Sequence, residues 1–81
     1  MNADRLVAMA NDISAFFAGE SDRATAAANV AQHLTRFWDP RMKKQIIRHY
    51  RAGAGGLSEV AAAGVALLAE RYDPVSATPS P

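Results

Sequence analysis

The pair Asp39-Pro40 constrains this chain more than any other feature. Pro at the first position of a helix loses no hydrogen bond, because that N–H has no intrahelical partner, and its φ is already set. Asp immediately before it can accept from the next free backbone N–H groups and suits the positive end of the helix dipole. Pro40 also disfavours helical geometry at Asp39, so a preceding helix must stop near Trp38. The spacing therefore predicts one helix ending at Phe37-Trp38, a sharp corner, and a second helix opening with Pro40-Arg41-Met42. The single Trp and one of three Phe lie at this corner, where large aromatics either plug a core or anchor a partner.

Helical periodicity extends from the corner in both directions. From about Ala3 to Ala18, Leu6, Met9, Ala10, Ile13, Phe16 and Phe17 recur at helical spacing and predict one apolar face. Asn2 suits the cap, Asp4 the first turn, and Gly19 a left-handed residue after the end. Asn11 and Asp12 fall off the stripe and are expected in solvent. A second helix starts near Ser21 or Asp22, with a stripe of Ala24, Ala27, Ala28, Ala31, Leu34, Phe37 and Trp38. Its Ala-rich half permits close approach of a neighbouring helix. The third runs from Pro40 to about Arg51, with Met42, Ile46, Ile47 and Tyr50 on one side.

Gly53, Gly55 and Gly56 predict a flexible break. Ser58 then caps a fourth helix with Val60, Ala61, Gly64, Leu67 and Leu68 on its stripe, fading near Arg71-Tyr72. Gly64 inside a helix costs about 1 kcal/mol relative to Ala, and close approach of another backbone explains it. Pro and Ser dominate the non-periodic residues 73–81, which are expected to be disordered. The reading is an all-α domain over residues 1–72, a small bundle of about four short helices, followed by a tail.

Eighty-one residues with no cysteine leave one small domain without disulfides or thiolate metal sites. The Ala-rich helices supply little core volume, so stability gained from a partner surface is expected. No apolar run approaches the roughly 20 residues of a membrane span, and polar residues interrupt any signal-peptide core at the N-terminus. An intracellular, soluble chain is the expectation.

The residues offer no catalytic constellation. The two His stand on different helices, with no acid three or four residues after either, and there is no HxxxH or ExxH metal motif. Gly53-Ala54-Gly55-Gly56 lacks the strand and the Lys-Ser/Thr of a phosphate loop. Catalytic, cofactor-binding and metal sites are all expected to be absent. The third helix is more informative. With Arg36, it gathers six of the nine basic residues against one acid, Asp39. Such a helix could meet nucleic-acid phosphates, but apart from Gln45 it lacks the Asn, Gln and Ser that commonly read base edges, and an acidic protein surface fits better. Phe37 continues the apolar stripe and reads as core. Trp38 reads equally as core plug or partner anchor. Together Phe37, Trp38, Arg41, Met42, Lys44 and Arg48 form the expected partner-binding surface.

The stretch Met9-Ala10-Asn11-Asp12-Ile13-Ser14-Ala15-Phe16-Phe17, then His33-Leu34, then Phe37-Trp38-Asp39-Pro40-Arg41-Met42, resembles the small delta subunit of NAD-dependent, molybdenum-containing formate dehydrogenases. The resemblance runs from about Arg5 to Leu68 and brings no catalytic residue to any position. It implies an accessory subunit of a soluble cytoplasmic complex, bound to the large molybdenum-containing subunit. Such a complex oxidises formate at a bis-molybdopterin guanine dinucleotide centre and passes electrons through iron–sulfur clusters and FMN to NAD, with those cofactors on the other subunits. The alternative expectation is a free-standing helical regulator or nucleic-acid-binding protein using residues 40–51.

Overall fold

A computed structural model describes residues 3–72. The expected cap at Asn2 and the tail over 73–81 lie outside the described residues. The four expected helices are present: α1 Ala3–Phe17, α2 Arg23–Phe37, α3 Pro40–Arg51 and α4 Glu59–Tyr72, with no strand among the described residues. Asp22 is the residue that caps α2. Its carboxylate accepts from Ala24 N at 3.3 Å and from the Thr25 hydroxyl at 2.8 Å. Ser58 caps α4 through its Oγ, which accepts from Ala61 N at 3.2 Å. Gly19 is not in the left-handed region; α1 ends instead in tight turns closed by Ala18 N to Ala15 O and Glu20 N to Phe17 O.

The bundle is built around the pair α2 and α4. Arg23 and Glu59, in their first turns, form an ion pair, and Gly64 of α4 faces Val30 and the carbonyl of Ala27, so the two helices run in the same direction. Both ion-pair side chains are about two-thirds exposed or more, so the pair marks geometry rather than stability. A Cβ on Gly64 would sit 2.5 Å from Val30 Cγ1, which is the close approach its position in the helix predicts. Helix α1 packs on all three other helices, and α3 packs on α1 and α4. Helices α2 and α3 are joined by only two residues yet scarcely touch, so the corner splays them apart.

The core contains Leu6, Val30, Leu34, Ile46, Val65 and Leu68 as its largest fully buried side chains. Val30 and Val65 were not on the expected stripes, and they fill the space between the Ala and Gly positions. Ala24 of the expected α2 stripe is exposed. The fully buried residues of α1 are Leu6, Val7, Ala10 and Ser14; Met9, Ile13 and Phe17 of the expected stripe are half-buried against the core, and Phe16 alone of that stripe points outward, with 82% of its surface exposed.

Polar groups also anchor this side of α1. Asn11, expected in solvent, donates from Nδ2 to Gly56 O and accepts at Oδ1 from Ser58 N, both at 2.8 Å. The Ser14 hydroxyl donates to Asn11 O at 2.8 Å and lies 2.9 Å from the Ser58 hydroxyl. One proton per hydroxyl then requires Ser58 to donate to Ser14 while accepting from Ala61 N. Among the described residues every buried side-chain polar atom has a partner.

The glycine-rich link is likewise held rather than loose. Ala54 N bonds to His49 O and Gly53 N to Tyr50 O, the paired pattern of a Schellman C-cap with Gly53 at φ +131°. The Nε2–H of His49 donates to Gly55 O at 2.6 Å. With Asn11 on Gly56, this link is gripped by α3 on one side and by α1 on the other.

Candidate functional site

The corner is built as the sequence requires. Helix α2 closes with Trp38 N donating to Leu34 O at 3.0 Å, and Asp39 Oδ1 accepts from Met42 N at 2.9 Å at the start of α3. Asp39 is in the extended region, as its position before proline demands. Lys43 reaches back across the corner, and its Nζ donates to Thr35 O at 3.1 Å. That ammonium meets one of the last carbonyls of α2, which have no helical partner. Lys43 is thus an internal brace of the corner.

The two corner aromatics differ in exposure. Trp38 is 6% exposed and belongs to the core cluster with Leu34, Ile46 and Ile47. It is the plug, not an exposed anchor. Phe37 was expected in the core but is 70% exposed. It lies four residues after His33, on the flank of α2, and the two rings are 4.7 Å apart and tilted by 43°. The physical reason is the end of the helix. Trp38 has left helical geometry and turns inward, while α3 diverges and offers nothing to cover Phe37.

Of the other expected partner-binding residues, Met42 is half-buried against the core, whereas Arg41, Lys44 and Arg48 are exposed. Their spacing of three and four residues places them in one row along α3. An open groove beside the corner is lined by Asp39, Pro40, Arg41 and Lys44. The structure therefore brings Arg41 and Lys44 to the same groove, extends the row to Arg48, and sets Phe37 just before it in the chain.

Phe16 is a second exposed aromatic, at the far end of α1, with its ring edge-to-face on Phe17 at 5.2 Å. Its place on the expected stripe hid it: Phe16 is the stripe's one exposed member. Near it a mainly apolar groove is lined by Ala15, Ala18 and Val60 beside the Ser14–Ser58 contact.

No helix among the described residues is long and apolar enough to cross a membrane. The chain has no cysteine, and no group of three or more His, Asp or Glu among the described residues is placed to hold a metal ion.

No curated protein and no solved structure matches the chain. A family profile does: NADH-dependent formate dehydrogenase delta subunit FdsD, over residues 5–65, which takes in α1, α2, α3 and the first half of α4. With well over half of its length matched, including the whole corner and its exposed Phe37, this chain belongs to the delta-subunit family of NADH-dependent formate dehydrogenases.

Proposed function

We propose that this chain is a non-catalytic accessory subunit. It binds the large molybdenum-containing subunit of a formate dehydrogenase and stabilises the assembled complex. The molybdenum centre, iron–sulfur clusters and flavin reside on the other subunits, and the assembly works in the cytoplasm. The observation that carries this reading is the family match over residues 5–65, which contains the exposed corner. A binding role also agrees with the exposure of Phe37, because a ring of that size standing in water has surface to gain from a partner. Stabilisation follows from mass action, since a subunit that binds only the folded assembly shifts its unfolding equilibrium.

The test is removal of the chain. The complex is expected to co-purify with it and, without it, to lose subunits or formate-dependent NADH production faster on warming. An unchanged half-life and subunit composition after deletion would sink the proposal.

A further inference from the structure

The charges of this chain are segregated. Residues 36–51 contain six bases and one acid, a net +5; the remainder contains three bases and seven acids, a net −4, which together give the overall +1. The single acid of the basic segment, Asp39, is already engaged as the cap of α3. The positive pole therefore coincides with the corner that exposes Phe37.

We infer that Phe37, Arg41, Lys44 and Arg48 form one docking face that receives an apolar pocket rimmed by carboxylates on a protein partner. This rests on the accessory-subunit reading and names the chemistry of its contact. The distances allow a single face. The row from Arg41 to Arg48 is about 10 Å long at 1.5 Å per helical residue. Phe37 lies at most roughly 14 Å from Arg41, the reach of four extended residues. Both fit within one standard footprint of about 800 Å² per partner. Each part has a distinct task. The exposed ring supplies the apolar anchor. The cations steer a partner of opposite sign. A protein fits better than a polyanion. A lone exposed phenyl ring asks for an apolar pocket, which a phosphate backbone does not offer.

The experiment measures association of the full chain with the enzyme complex from which it has been removed, across a range of salt. Phe37→Ala is expected to weaken binding by about 10- to 100-fold, mostly through faster dissociation. Reversal of Arg41, Lys44 and Arg48 to Glu is expected to slow association by about tenfold or more at low salt and to remove its salt dependence. Arg71→Glu, on exposed surface of α4, is expected to bind as the natural chain does. Circular dichroism of each variant reports its fold, and Gln at the three positions replaces Glu if reversal unfolds the chain. Unchanged binding by both the Phe37 and the cation variants overturns the inference. If chain removal still destabilises the complex in that case, the accessory reading stands and its contact lies elsewhere; if removal is also silent, both fall. Retention of the natural chain on duplex DNA at physiological salt, lost on charge reversal with the complex unaffected, would assign the row to nucleic acid and overturn it too.

Discussion

Gly64 and Val30 meet so closely that no side chain fits between them: an added Cβ would stand 2.5 Å from Val30 Cγ1 and 2.7 Å from Val30 Cβ. This contact fixes the distance between α2 and α4. Gly64→Ala raises helix propensity by about 1 kcal/mol. It also forces the two helices apart at a fully buried valine, with an overpacking cost of about 1–3 kcal/mol. Net destabilisation is expected in urea titrations. Adding Val30→Ala should recover part of it, and a double-mutant cycle showing no coupling would contradict the contact.

Trp38 and Phe37 should respond in opposite ways. Trp38→Ala removes a core side chain and is expected to cost about 3–5 kcal/mol, enough to unfold much of a domain this small. Phe37→Ser should change the stability of the isolated chain by no more than about 0.5 kcal/mol. Thermal melts followed by circular dichroism compare them directly, and a large loss from Phe37→Ser would show that the ring is structural.

Asp39 and Arg41 likewise separate folding from binding. Asp39→Ala deletes the acceptor for Met42 N and is expected to cost about 0.5–2 kcal/mol, with Asn or Ser at the same place recovering most of it. Arg41→Ala should leave the melting curve of the isolated chain in place and weaken assembly by about 1–3 kcal/mol, the range of charge-assisted contacts. A lowered melting temperature for Arg41→Ala would mark that residue as a brace.

Asn11→Ala should loosen the tether between α1 and the glycine-rich link. It removes two exposed hydrogen bonds, to Ser58 N and Gly56 O, at an expected cost of about 0.5–1.5 kcal/mol. Amide exchange is expected to rise first in residues 53–58. Protection there equal to that of the natural chain would show that His49 holds the link without help.

Much of this fold is legible in the sequence because helix ends carry strong local chemistry. Asp39-Pro40, Asp22 and Ser58 mark three helix starts, and Gly64 announces a close crossing. The exposure of Phe16 and the anchoring roles of Asn11 and Ser14 are not legible, because that polar pair finds its partners more than 40 residues away. The Ala-rich stripe of α2 is ambiguous for a related reason: alanines fit buried and exposed positions alike, and the register is set by Val30 against Gly64. At the candidate site the cations on α3 are visible in sequence. The exposure of Phe37 and the burial of Trp38 are not, since they depend on how far α3 swings away after Pro40. The grip on the glycine-rich link is hidden for the same reason, because Asn11 and His49 do not advertise carbonyl partners.

The ammonium of Lys43 on the carbonyl of Thr35 ties α3 back to the end of α2, across a bend whose backbone is already set by Pro40 and by the Asp39 cap. The entropy of shaping this bend is therefore lost while the chain folds. Whatever meets the corner meets a finished surface, and affinity there is limited by complementarity rather than by the ordering of a loop.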